Sequence, residues 1–251
     1  MLRFLVRMTA LGLAVLALGA LAAVLWWRHE PVELEAWRTG PPPGRWATWT
    51  RQEEVWREQG LKRPIAHVFA PLEDISEDLV VAVLVSEDID FFGHGAIDVE
   101  AVREAVREWR RGRRLRGAST VTQQLAKNLF LTGERSVVRK LEEARIARSM
   151  ERQLGKRRIL ELYLNVVEFG AGILGAQAAA RRYYGCDAAQ ITGIQAAGLA
   201  ATIPAPGRDN PATRSRRWIA RRDVIAARMT RVEWLRAEVR RLRRNAPSSA
   251  R

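Results

Sequence analysis

The sequence predicts an all-α domain behind one N-terminal apolar segment. Three observations lead there. From about residue 72 onward, long stretches rich in Ala, Leu, Arg and Glu are broken only at residues 93–95, 111–117, 133, 169–175, 185 and 204–211. Gly and Pro placed that way punctuate helices. The apolar run 81–85 has the composition of a strand, but helix formers flank it, which predicts a buried helix. Finally, residues 8–27 carry no charge and are mostly Leu, Ala and Val. About eight to ten helices are expected between residues 60 and 244.

In chain order, the first element is a membrane-spanning helix. Twenty apolar residues match the roughly 30 Å of hydrocarbon in a bilayer. Arg3 and Arg7 precede them, Trp26 and Trp27 close them, and Glu30, Glu33 and Glu35 follow. That charge order keeps the N-terminus in the cytoplasm and the body outside. Ala20-Leu21-Ala22 also fits a signal-peptide cleavage site. The length of the run and its two terminal Trp favour a retained anchor over residues 1–30. Residues 31–60 read as a linker, with RTGPPPGRW at 38–46 extended and partly polyproline-like. Residues 61–244 form the main domain, and 245–251 a disordered tail.

Composition narrows the chemistry. The net charge of +14 calls for an anionic partner: nucleic acid, a membrane surface or a phosphorylated substrate. That charge is concentrated in two places, a net +5 over residues 103–116 and +10 over residues 208–251. Cys186 is the only cysteine, so no intrachain disulfide forms. With three histidines besides, a zinc site is not expected.

Three segments carry candidate chemistry. In GASTVTQQLAKNLFL (residues 117–131), Ser119 and Thr120 suit a helix cap. Gln123, Gln124, Lys127 and Asn128 follow, interleaved with apolar residues. A purely structural surface helix would use Glu and Lys on one face, so this run of uncharged hydrogen-bonders points to recognition of something polar. Glu87 and Asp88 end the apolar run before Gly93 and His94. A carboxylate delivered there is partly desolvated, which suits general-base work. It could equally end a helix in water. Arg139, Lys140 and Glu143 lie on adjacent helical turns, with Arg139 and Glu143 as an i,i+4 pair.

Together these segments resemble the peptidoglycan glycosyltransferases of family 51, the membrane enzymes that polymerise lipid II into glycan strands. Residues 87–94 are similar to the family's first motif, ED-x-x-F-x-x-H, with Gly95 and Ala96 in reversed order after it. Residues 117–131 resemble the second motif, and RKLEEARIARSMERQLGKRRILELYLN (139–165) the third. Residues 170–185 resemble the fourth, with Leu174 for an aromatic and Cys186 where Lys is common; their glycines suit close helix packing. Residues 195–206 resemble the fifth more weakly, with Gln195 for Glu.

The resemblance implies a lysozyme-like fold and a division of roles. Glu87 is the catalytic base and Glu143 the second active-site carboxylate. Ser119, Thr120, Gln123, Gln124, Lys127 and Asn128 line the donor subsite, with Lys127 meeting the pyrophosphate. Arg135, Arg139 and Lys140 help to hold the phosphates. His94, Glu151, Glu161 and Asn165 are expected to be structural. Glu143 would orient the cations, hold a divalent ion (Mg²⁺ or Mn²⁺) or assist the leaving group, and the sequence does not choose among these.

Residue chemistry also favours transfer over hydrolysis. Cleaving a glycosidic bond requires an acid to protonate the leaving alkoxide, whereas a pyrophosphate leaving group needs cations. The expected partners are lipid II, the growing lipid-linked strand, membrane lipids and cell-wall synthases, with no nucleic acid. The expected location is the bacterial inner membrane, single-pass, with the catalytic domain on the periplasmic or outer face. No S-x-x-K or K-T-G motif is present, so a transpeptidase is not expected. Two rival readings are a membrane-anchored lytic enzyme of similar fold and a non-enzymatic basic module.

Overall fold

The computed structural model describes residues 16–113, 118–133 and 136–244. The chain divides into two units, residues 1–33 and 34–251. In the first, residues 16–28 form helix α1, with Leu16, Leu18, Leu21, Val24 and Leu25 all more than half exposed. Among the described residues no helix is long and apolar enough to cross a membrane. The early part of the apolar run, residues 8–15, lies outside them, as does the tail 245–251.

The second unit is built around α3 (Glu77–Glu87), in which every residue from Leu79 to Val85 is buried. A helix apolar on all sides belongs inside a core, and each fully buried Leu or Val contributes about 1.5–3 kcal/mol. The run that could have been a strand is therefore a helix. Ser76 caps it by accepting from the Leu79 N–H (3.1 Å), and Glu77 and Asp78 sit at the positive end of its dipole. Around α3 pack α8 (Gly193–Thr202), α9 (Arg216–Met229) and α10 (Glu233–Arg244). Arg236 of α10 pairs with Asp78 (2.8 Å) and Glu77 (3.3 Å) at that acidic end.

Beside this group, α5 (Val121–Phe130) lies along α6 (Val137–Val166). The sequence read as continuous helix through α6, but Gly155 has φ 71° and ψ 164° and divides it in two. Helix α4 (Val99–Arg110) buries none of its residues, and α7 (Ala176–Tyr184) follows the sheet.

That sheet corrects the all-α expectation: the unit is mostly helical, with three short strands. They are β1 (Ala66–His67), β2 (Glu168–Gly170) and β3 (Ile173–Leu174), in the order β1-β3-β2. Strand β3 runs parallel to β1 and antiparallel to β2. The glycines of residues 170–175 do mark close approach, but in a hairpin rather than between helices. Gly172 has φ +70°, and a Cβ there would enter the Trp56 ring; one on Gly175 would meet the Asn165 carbonyl.

Residues 31–60 are also more than a linker. Helix α2 (Ala47–Glu58) packs on α5, and Leu34, Trp37, Trp46 and Trp56 are buried. Buried Arg158 holds this segment, donating from Nε to the Trp37 carbonyl (2.7 Å) and from Nη2 to that of Gly40 (2.6 Å). Arg158 is itself paired with Glu161, whose other oxygen accepts from the Leu72 N–H (3.0 Å).

Asn165 is a similar tie. Its side chain accepts from the Ala70 N–H and donates to the Ala70 carbonyl, both at 2.8 Å and fully buried. Asn165→Ala leaves both backbone groups unpaired in the interior. A loss of about 2–4 kcal/mol is expected in urea unfolding of the 34–251 unit.

Candidate active site

Two helix ends meet at the site, the C-terminus of α3 and the N-terminus of α5. Asp88 joins them. Its Oδ2 accepts from the Val121 N–H (2.8 Å), which opens α5, and its Oδ1 meets His94 Nε2 (2.7 Å). His94 Nδ1 lies 2.6 Å from the Gly95 carbonyl. The Asp88 hydrogen bond raises the His94 pKa above its ordinary value against an opposing effect of burial.

The reversed Gly95-Ala96 order is accommodated. Gly95 has an ordinary φ and open space where a Cβ would stand, and the Ala96 carbonyl accepts from Thr120 Oγ1 (2.7 Å).

Glu87 is the last residue of α3, and its side chain is 11% exposed. Three groups fix it. Ser86 Oγ donates to Oε1 (2.8 Å), Gln124 Nε2 donates to Oε2 (3.1 Å), and Arg221 Nη2 donates to Oε1 (3.1 Å). The orientation of Gln124 is set from behind, because Tyr163 OH donates to its Oε1 (2.9 Å). Burial, with Glu87 and Asp88 nearby, pushes the Tyr163 phenol well above its usual pKa. It therefore remains a donor at neutral pH, and Gln124 keeps its NH₂ toward the carboxylate.

The second half of the site is cationic. Lys127 lies one turn beyond Gln124, half-buried. Burial lowers its pKa, the Glu143 carboxylate opposes that, and Arg51, Arg139 and Lys140 add to the lowering. Glu143 is buried and paired with Lys140, which also donates to Ser119 Oγ (3.0 Å). The expected Arg139–Glu143 pair is replaced by this i,i+3 contact. Arg139 pairs with no carboxylate among the described residues, and its buried Nε has no partner there.

The predicted residues thus divide. Glu87 and Gln124 converge in one place, and Ser119, Lys127, Arg139, Lys140 and Glu143 in another. Thr120 and Gln123 instead form a capping box at the start of α5, with Thr120 N–H donating to Gln123 Oε1 (3.1 Å) and Gln123 N–H to Thr120 Oγ1 (3.2 Å). Both are buried and satisfy each other at the helix end. Asn128 is buried too, its carbonyl accepting from Thr48 Oγ1 (3.1 Å). Arg135 lies outside the described residues. Glu151 holds Thr122 Oγ1 (2.7 Å) and Lys156 Nζ (2.9 Å), and Lys156 stands over the Phe91 ring. These contacts tie α5, α6 and the Phe91 turn together.

Sequence reasoning missed two residues, Arg221 and Tyr163. Arg221 sits among Arg216, Arg217 and Arg222 in a run that looks like a solvated face. Only the packing of α9 on α3 distinguishes it.

The part-buried Glu87 carboxylate is thus held by Gln124 and Arg221, while Lys127, Arg139 and Lys140 gather around Glu143. The family model described as transglycosylase matches residues 54–230.

The chain belongs to the transglycosylase family. It is 41% identical over 199 residues to the biosynthetic peptidoglycan transglycosylase of Herminiimonas arsenicoxydans, covering 78% of this chain and 86% of that one. It is 42% identical over 203 residues to the protein of that name from Bordetella pertussis, covering 79% and 82%. Against that of Nitrosospira multiformis it is 42% identical over 178 residues, covering 70% and 77%.

Within this transglycosylase site, the His94–Asp88 pair has a measurable signature. Because the folded pKa of His94 is raised, its stabilising effect is full below the unfolded value of 6.5 and fades as pH rises through the folded value. The difference in urea midpoint between the parent and His94→Gln should shrink from pH 5.5 to pH 8.5. A difference that is flat with pH counts against a charged His94.

Proposed function

We infer that this chain is a peptidoglycan glycosyltransferase that polymerises lipid II into glycan strands, on a lysozyme-like fold. The observation that carries this is the pairing of Glu87, held by Gln124 and Arg221, with the separate cation group of Lys127, Arg139 and Lys140. Glu87 Oε1 or Oε2 takes the proton from the acceptor's 4-hydroxyl. The hydroxyl oxygen attacks C1 of the lipid-linked donor from the face opposite the pyrophosphate, giving a β-1,4 link with inversion. The C1–O bond breaks with its electrons on the pyrophosphate, which leaves as undecaprenyl pyrophosphate against the cations.

Arg221 steadies the Glu87 carboxylate and moves no proton. Glu143 keeps the Lys140 ammonium toward Ser119. Among the described residues no three His, Cys, Asp or Glu side chains converge as a metal cage. Glu143 is the residue that would hold a divalent ion (Mg²⁺ or Mn²⁺), which would supply positive charge to the departing pyrophosphate.

Peptidoglycan synthesis places the protein at the cell envelope. Residues 8–27 support a single-pass anchor in the inner membrane, with the catalytic unit on the periplasmic or outer face, because their apolar composition continues into the exposed apolar surface of α1. Helix α4 supports a membrane-facing site. Val99, Val102, Val106 and Trp109 form one exposed stripe beside Arg103, Arg107 and Arg110, as in helices lying at an anionic headgroup layer. Val137, Val138 and Leu141, also exposed, flank Arg139 and Lys140, which suits a site whose substrate keeps its tail in the bilayer. Cell-wall synthases remain the expected protein partners.

Labelled lipid II incubated with detergent-solubilised protein should yield long strands. Glu87→Gln should lose about 10²–10⁴-fold in rate, the usual contribution of a general base. Cleavage of preformed glycan without polymer would support the lytic reading instead. Tyr163→Phe frees Gln124 while keeping the ring in place. Its kcat should fall about tenfold, the equivalent of one hydrogen bond of roughly 1.4 kcal/mol, with the melting temperature little changed.

A further inference from the structure

We propose that Arg51, on the part of α2 that precedes the family-matched region, is a further cation of the pyrophosphate site and binds the leaving group directly. Neither Arg51 nor the helix turn that carries it belongs to the segments read above for chemistry, and both precede residue 54, where the family match begins. The inference rests on the reading of Lys127, Arg139 and Lys140 as a pyrophosphate cradle.

The geometry starts with packing. Helix α2 lies on α5, and buried Thr48 fixes the register by donating to the Asn128 carbonyl (3.1 Å). Arg51 is one turn further along α2, and its Nη2 donates to the same Thr48 hydroxyl (3.3 Å). This stations the guanidinium beside the C-terminal half of α5, next to Lys127. Its charge reaches Lys127 there, alongside those of Arg139 and Lys140.

Two further features separate Arg51 from an ordinary surface arginine. It pairs with no carboxylate among the described residues, whereas its neighbour Arg45 pairs with Glu53 at 3.0 Å. Half-buried Glu168 of β2 lies within its field without closing an ion pair, and burial raises the Glu168 pKa while Arg51 opposes it. The remaining donors of the guanidinium fork are free for a ligand. A planar fork matches two phosphate oxygens at once, which the ammonium groups of Lys127 and Lys140 cannot do.

Charge bookkeeping gives the fork a purpose. Glu143 cancels one of the three cations described at the site, Lys127, Arg139 and Lys140, and a departing pyrophosphate gains negative charge as the C1–O bond breaks. A further cation that approaches from a different helix, not shielded by Glu143, meets that charge where it develops.

Binding of undecaprenyl pyrophosphate in detergent, together with lipid II turnover, tests this with full-length protein. Arg51→Ala should weaken binding and lower kcat/KM by about 10–100-fold, the range for a charge-assisted hydrogen bond. Arg51→Lys should fall between the parent and Arg51→Ala, and Arg51→Glu should be the weakest. Melting temperatures should match the parent throughout, because the side chain is exposed. Thr48→Val, which removes the anchor but keeps the charge, should show a smaller loss than Arg51→Ala.

Unchanged binding in Arg51→Ala, or equal losses in all three Arg51 variants, overturns the proposal and leaves the polymerase reading intact. A parent that binds the pyrophosphate, with affinity following the charge at position 51, but makes no glycan supports the proposal and overturns the polymerase reading. A parent that makes glycan without binding it overturns the proposal alone, and one that does neither overturns both.

Discussion

The Asp88 carboxylate is the constraint on which the site depends. One oxygen caps α5 through the Val121 N–H and the other holds His94. The termini of α3 and α5 are thereby locked at one point, although 33 residues separate them in the chain. Glu87 is adjacent to Asp88 on one side of that lock, and Gln124 lies one turn into α5 on the other. Their 3.1 Å hydrogen bond follows from the lock rather than from any direct pairing of the two helices. The lock in turn relies on α3 being driven into the core by its apolar run, since a helix with a solvent-facing side could rotate its terminal carboxylates away.

From this point the site separates into two electrostatic compartments. Glu87 shares its oxygens among a hydroxyl, an amide and Arg221, and Glu143 is paired with Lys140. Neither acid is paired with Lys127, whose ammonium is half-buried among other cations. Keeping the base and the phosphate-facing cations on different partners prevents each from neutralising the other. A direct pair between Glu87 and Lys127 would instead draw that cation away from the departing phosphate.

Much of this was legible in the sequence, and the reasons for success and failure are physical. The apolar run of α3 announced a buried helix because helix formers flank it, and the Glu-Asp pair at its end could be located by position. Pattern could not reveal the hairpin at β2 and β3, because strands of three and two residues around glycines carry no periodicity, only the demand for positive φ at Gly172. The linker reading failed at residues 46–58 for a related reason. Trp46 and Trp56 look like scattered aromatics until His67 of β1 and the Gly172 turn are present to receive them. Arg221 was hidden by its own composition, since an arginine among arginines carries no signal until folding selects one. Within the second motif, Thr120 and Gln123 were read as facing the substrate, yet a capping box uses the same residue types at the same spacing.

The amide at position 124 can now be explained by elimination. It must accept from the Tyr163 phenol and donate to Glu87, and an amide does both without charge. Glutamate at this place would put a second carboxylate against the first, and the two would repel or tie up a shared proton instead of leaving a free base. Lysine could donate to Glu87, but it would leave the buried phenol without an acceptor and would hold the base in a tight ion pair. Glutamine alone among the long side chains lets a buried donor orient a base while leaving its charge available. The richness of the second motif in uncharged hydrogen-bonders therefore has two origins. Thr120 and Gln123 close the helix end, and Gln124 transmits the orientation of the core to the carboxylate at its edge.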